Sequence, residues 1–234
     1  MIWALHGNLG DPGDWAKTVD PLAPLAIRTI SLWERPPESF AKWTKSFFAG
    51  LEAESGHRVL MGYSLGARLA MHALLDRPER WTAAIFVSGH PGLGREEERV
   101  QRLRNDLAWA ERLRAGTVEE FAQAWNAQAV FDGEPPSTRQ IEVLSKHREA
   151  IAAAFDCWSL ARQDDLGAKL RDCPVPQLWV AGERDPKFAA LTEGMAEQAK
   201  RVSAVILKEC GHRVPLQKPR ELAECVRAFL ERVT

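Results

Sequence analysis

The sequence has no long apolar run, no excess charge of either sign and no closely spaced cysteines. Each absence removes a class of function. No stretch is apolar over the roughly 20 residues a helix needs to cross a bilayer, so no membrane span is expected. Acidic and basic residues nearly cancel, 32 against 31, for a formal net charge of -1. The overall field therefore points to neither nucleic acid nor an anionic membrane as a partner. The four cysteines, Cys157, Cys173, Cys210 and Cys225, show no C-x-x-C pair and no metal-ligand spacing. They read as reduced thiols of a cytoplasmic protein, and no metal or cofactor is expected. Met1-Ile2-Trp3-Ala4-Leu5 lacks the basic region and cleavage site of a signal peptide. Internal repeats and low-complexity stretches are absent too.

What is present is an alternation of short apolar runs with helical stretches. The 234 residues suffice for one α/β domain carrying an insertion. Strands are expected at 2–5, 27–32, 58–62, 82–88, 177–181 and 202–207. Helices are expected at about 15–22, after Ser39, at 65–76, at 187–199 and from Pro219 to Arg232. Ser39 suits an N-cap, and Phe40, Trp43, Phe47, Phe48 and Leu51 behind it lie at helical spacing, which reads as core. Glu34-Arg35-Pro36-Pro37 cannot be helical. From Arg95 to about Gln163 no strand is convincing, and the pattern is helical with breaks at Gly116 and Gly133-Glu134-Pro135-Pro136. The alternation predicts an α/β fold, a mostly parallel, doubly wound sheet of about six strands. Residues 1–93 and 166–234 would form the core domain, with 94–165 a helical cap inserted over the strand ends.

The chain is organised around Gly62-Tyr63-Ser64-Leu65-Gly66, a G-x-S-x-G between an apolar strand and a helix. A Ser on such a turn is pushed out of the backbone trace at the helix N-terminus. The N–H of Leu65 can then bind a developing oxyanion. A second donor would come from the turn after the first strand, His6-Gly7-Asn8-Leu9-Gly10, with Asn8 and Leu9 as candidates. A Ser hydroxyl is a poor nucleophile or base until a His takes its proton and a carboxylate orients the His. In this class of fold the order is Ser, acid, His, which Ser64, Asp185 and His212 satisfy, each just past a strand. Asp185 could instead cap the helix that follows it. Among the competing histidines, His57 precedes its strand, His72 is mid-helix and His147 is in the cap. His6 and His90 lie at the correct sheet edge but precede the acid, which suits substrate contact or structure.

Several stretches together resemble one branch of the α/β-hydrolase superfamily, the 2-succinyl-6-hydroxy-2,4-cyclohexadiene-1-carboxylate synthases of menaquinone biosynthesis. They are the elbow through Arg68, Gly89-His90-Pro91-Gly92-Leu93 with its Glu-rich continuation, Gly182-Glu183-Arg184-Asp185-Pro186-Lys187-Phe188, and Gly211-His212. Cap residues Arg102, Asn105-Asp106, Trp109, Phe121, Trp125 and Ser159 to Gln163 extend the likeness. The resemblance implies a lyase: the Ser removes a proton and pyruvate leaves by elimination. It also implies that Tyr63, Arg68, Arg102 and Trp125 contact the substrate. That substrate is a small molecule with several carboxylates, which call for guanidinium forks in a partly dry pocket. Arg68 lies one turn into the helix after Ser64, and helical side chains lean back toward the N-terminus. The chain departs from the family at Ala67, at Ser31 to Pro37 where relatives carry D-x-P-G-H-G-x-S, and in starting at the His-Gly strand without a leading hairpin. Two alternatives stay open: a small-ester hydrolase working through an acyl-enzyme, and a binding module that kept the fold without the chemistry.

Overall fold

The computed structural model describes residues 1–51, 58–131 and 133–233. His57 lies outside these described residues. Six strands form one sheet: β1 (Ile2–Leu5), β2 (Ile27–Ile30), β3 (Val59–Tyr63), β4 (Ala83–Val87), β5 (Gln177–Gly182) and β6 (Val202–Leu207). Their spatial order is β2-β1-β3-β4-β5-β6, and every neighbouring pair is parallel. The central strands are buried along their whole length, which explains why they read as continuous apolar runs. Side chains still alternate between faces. Trp3, Leu5, Leu60 and Phe86 join one core, while Ile2, Ala4, Val59 and Ile85 join the other.

Helices cover both faces. On the first lie α2 (Phe40–Ala49) and α3 (Leu65–Asp76); on the second lie α1 (Ala16–Val19) and the closing amphipathic helix, α10 (Pro219–Val233). Ser39 caps α2 by accepting from the Lys42 N–H, and Phe40, Phe48 and Leu51 are buried below it. The stretch expected to be helical from Trp15 to Leu22 is broken: only Ala16–Val19 is α-helical, between two 3₁₀ turns. Strand β2 ends at Ile30, because the Leu32 N–H turns away to bond His6.

Between β4 and β5 the chain makes a helical excursion with no strand among the described residues: α4 (Glu96–Ala115), α5 (Val118–Asn126) and α6 (Thr138–Cys157). Gly116 ends α4, and Arg148 from α6 donates to the carbonyls of Leu113, Arg114 and Gly116, satisfying orphan acceptors of that helix end. Thr117 and Glu120 form a reciprocal capping box that starts α5. Two contacts close the neck of the excursion: Leu166 N–H donates to Pro91 O at 2.8 Å, and Gln163 Nε2 donates to His90 O at 2.9 Å. Polar clasps join the far side to the core. Arg213 bonds Glu134 (3.0 Å) and Asn126 (2.6 Å), Gln217 donates to Glu134, and Arg139 pairs with Asp11. The chain then runs through α7 (Gly167–Asp172), α8 (Pro186–Glu197) and α9 (Val214–Gln217), interleaved with β5 and β6. Among the described residues no helix is long and apolar enough to cross a membrane.

Candidate active site

The elbow owes its shape to close backbone contact. Ser64 has φ 51° and ψ -108°, a left-handed conformation that L side chains rarely adopt. A Cβ at Gly62 would lie 2.4 Å from Gly66 O, and one at Gly66 would lie 2.3 Å from Leu5 O. Both glycines are therefore required for α3 to start directly against β1 and β3. The Ser64 N–H donates to Val87 O at 2.8 Å, tying the strained residue to β4.

His212 and Asp185 reach Ser64 from the ends of β6 and β5. The Ser64 Oγ lies 3.0 Å from His212 Nε2, and His212 Nδ1 lies 2.6 Å from Asp185 Oδ2. Both partners are about 95% buried, with exposures of 5% and 4%. The carboxylate can only accept, so Nδ1 carries the proton and Nε2 is left to accept from the Ser hydroxyl. Asp185 precedes α8 but makes no side-chain cap bond to it, which removes the alternative reading of that residue. Gly182 makes the juxtaposition possible: a Cβ there would meet Cys210 O at 2.2 Å and Gly211 O at 2.3 Å. Ser88, also at positive φ, donates to His212 O at 2.9 Å. Phe188 packs edge-on to the imidazole with centroids 4.5 Å apart.

The backbone N–H groups of Leu65 and Asn8 donate to no protein group among the described residues, and both residues line the cavity at Ser64. Leu65 heads α3, where the first amides have no intrahelical acceptor. Leu9, the other expected donor, is not available. Its N–H donates to Asn8 Oδ1 at 3.1 Å, and its side chain is buried.

The cleft over Ser64 has an inner cavity of about 90 Å³, lined by Arg68, His90 and Trp158 among others. An outer one of about 510 Å³ shares Arg102 and Trp125 with it and brings in His212 and Lys187. A third, of about 220 Å³, holds Asn8 and Tyr63. Arg68 is half-buried, and its Nη1 donates to Trp158 O at 2.8 Å. Among the described residues no carboxylate is within ion-pair distance of it. Burial, and then the charge of Arg102, pull its guanidinium down to about 9, so it remains charged at neutral pH. Arg102 Nε grips both oxygens of Asp106 (2.9 and 2.8 Å), and Ser159 Oγ holds Asp106 Oδ2 at 2.7 Å. Those two partners carried no pattern of their own in the sequence beyond the likeness to relatives.

His90 accepts from the Gly92 N–H at Nδ1 (3.2 Å), so its neutral ring carries a proton on Nε2. Burial, reinforced by Lys187, pulls its pKa to about 3. His6, in contrast, does not reach the cleft. It is fully buried, donates from Nδ1 to Gly7 O (2.8 Å) and accepts the Leu32 N–H at Nε2 (2.9 Å). With both nitrogens taken by backbone, it is a structural histidine rather than a substrate ligand. Tyr63 is buried, its ring 5.8 Å from that of His212, and burial raises its phenol pKa. Among the described residues, no group of His, Cys, Asp and Glu is arranged to hold a metal ion.

Comparison with known proteins places this geometry in a lineage. The model of the alpha/beta hydrolase family matches residues 4–225. A relative from Pectobacterium atrosepticum, named 2-succinyl-6-hydroxy-2,4-cyclohexadiene-1-carboxylate synthase, is 31% identical over 243 aligned positions, covering 97% of this chain and 92% of its own. A Klebsiella pneumoniae (strain 342) protein of the same name is 33% identical over 236, with the same coverage of 97% and 92%. Among solved structures, MenH from S. aureus superposes with a TM-score of 0.88 at 22% identity, covering 99% of this chain and 93% of its own. A thermophilic esterase from Thermogutta terrifontis superposes with a TM-score of 0.75 at 21% identity, covering 99% and 89%. At those identities the two structures speak for the fold. The chain belongs to the alpha/beta hydrolase family and, within it, to the family of the 2-succinyl-6-hydroxy-2,4-cyclohexadiene-1-carboxylate synthases.

Proposed function

We propose that the protein is a Ser-His-Asp lyase that eliminates pyruvate from 2-succinyl-5-enolpyruvyl-6-hydroxy-3-cyclohexene-1-carboxylate. The observation that carries this reading is Arg68: a charged guanidinium in the cavity of Ser64 with which no carboxylate among the described residues forms an ion pair. An enzyme for neutral esters gains little from such a cation, whereas a substrate with three carboxylates supplies what it lacks. Arg102, held by Asp106 and Ser159, is a second cation on the same cleft.

The chemistry follows from the change of a ring 3-ene into a 2,4-diene. The hydrogen on ring carbon 2 is lost and the oxygen substituent on ring carbon 5 departs. That hydrogen is acidic because it lies between the ring double bond and the succinyl ketone. His212 Nε2 takes the Ser64 hydroxyl proton as Ser64 Oγ takes the ring proton. Asp185 stabilises the resulting imidazolium. The electron pair of the broken C–H bond moves onto the ketone oxygen, where the Leu65 and Asn8 N–H groups receive it. It then returns through the ring and expels the carbon 5 oxygen with its bonding pair. The departing enolpyruvate gains the proton held by His212 and becomes pyruvate. The free thiols of all four cysteines support a cytoplasmic setting.

The test is to supply the cyclohexene substrate and follow pyruvate through its reduction by lactate dehydrogenase. Pyruvate should appear with wild-type protein and not with Ser64→Ala. Hydrolysis of p-nitrophenyl acetate without any pyruvate would replace this reading with an esterase acting through an acyl-enzyme.

A further inference from the structure

We propose that Trp33 is a positioning residue that holds the Asn8 amide in the cleft. It does so from the loop that follows β2. The inference rests on the reading above in which the Asn8 N–H receives the oxyanion. An amide can do this only if its turn stays fixed while charge develops. The turn has little to fix it from within: Leu9 is a non-glycine residue at φ 58°, and the one backbone bond inside it, Gly10 N–H to Gly7 O, is long at 3.3 Å.

The outside support comes from two hydrogen bonds that bracket Asn8. Two residues before it, His6 Nε2 accepts the Leu32 N–H at 2.9 Å. Two residues after it, Gly10 O accepts the Trp33 Nε1–H at 2.7 Å. His6, Leu32 and Trp33 are all buried, at 0%, 3% and 5% exposure, so water does not compete for these bonds. The Trp33 ring also packs on His6 (centroids 5.3 Å apart) and on Trp158 (6.3 Å), the residue whose carbonyl holds Arg68. Trp33 is absent from the lining of the cleft at Ser64. Its effect therefore passes through Gly10 and not through the substrate.

The test is Trp33→Phe, which keeps a ring and deletes the N–H. Losing a whole oxyanion donor lowers kcat by roughly 100- to 1,000-fold, so loosening one should lower it by about 10-fold. KM should stay within about 2-fold, since substrate contacts remain. Amide hydrogen exchange at residues 8–10 should accelerate relative to the rest of the chain. A second variant, site-specific benzothienylalanine at Trp33, keeps the shape of indole without its N–H and should behave alike even if Trp33→Phe folds poorly. Unchanged exchange at residues 8–10 with unchanged kcat would overturn the proposal. So would a fall in Tm with kcat intact, which marks a purely structural residue. Neither result bears on whether wild-type protein releases pyruvate. Conversely, an esterase outcome leaves the exchange measurement as a test of Trp33.

Discussion

Arg68 bears a charge in a place where desolvation opposes it, with Arg102 adding repulsion. Truncating one partner of a partly desolvated charge pair costs about 2–5 kcal/mol. Arg68→Ala should therefore lower kcat/KM for the polycarboxylate substrate by roughly 30- to several-thousand-fold. Arg68→Lys should restore only part, since an ammonium lacks the planar fork. A neutral ester, if turned over, should be indifferent to both changes, and steady-state kinetics on the two substrates reads the contrast. At this scale the sequence was legible wherever order along the chain sufficed. Ser64, Asp185 and His212 follow strands in the required order, and the geometry brings them into hydrogen-bond reach. Leu9 and His6 were not legible, because single hydrogen bonds decide what they can do: the Leu9 N–H is taken by Asn8 Oδ1, and the His6 nitrogens by Gly7 O and the distant Leu32 N–H.

Among the elements, glycines set how closely neighbours approach. Gly66→Ala would drive a methyl to 2.3 Å from Leu5 O and 2.5 Å from His6 O. Gly182→Ala would do the same against the Cys210 and Gly211 carbonyls that lead to His212. These backbone oxygens are buried at strand ends and in the tight loops that follow them and cannot step aside, so both variants should lose several kcal/mol or fail to fold, as measured by urea denaturation. Gly194 in α8 has nothing within 4 Å of a Cβ, and Gly194→Ala should instead stabilise by about 0.5–1 kcal/mol. The capping box at α5 gives a third value: Thr117→Ala should cost about 1 kcal/mol. The long helices and the strands were readable from periodicity, burial on both faces and Ser39, Gly116 and Pro219 as punctuation. The helices α7 and α9, of 6 and 4 residues, are too short to impose a pattern. Nor does periodicity mark the kink at His147 inside α6.

For the molecule as a whole, four described histidines are held below their usual range, and the three lowered most strongly tie stability to acid. His6 and His72 are lowered to about 4 and His90 to about 3, in each case first by burial. The unfolded chain takes up these protons near pH 6.5 while the folded chain does not. Stability is thus full above about 6.5 and is lost as pH falls toward 4; for His6 alone roughly 3 kcal/mol is at stake. Asp14 opposes this more weakly: burial raises it to about 6, so its contribution is largest in acid and fades as pH rises through that value. Calorimetry from pH 4 to 7 should show Tm rising, and His72→Asn should flatten the slope. Parallel pairing was legible at this scale from strict alternation of strand and helix, whereas the order β2-β1-β3-β4-β5-β6 was not, since pattern alone does not say which strands are neighbours. That order has an evolutionary consequence. Strands β4 and β5 lie side by side, so the helical excursion between them departs and returns at one doorway, fastened by Pro91 with Leu166 and by His90 with Gln163. A segment whose two ends already meet can be lengthened, shortened or exchanged for a small change in loop-closure entropy. The cleft-lining residues it carries, Arg102 and Trp125 among them, are thereby free to diversify as a cassette, while Ser64, Asp185 and His212 stay with the sheet.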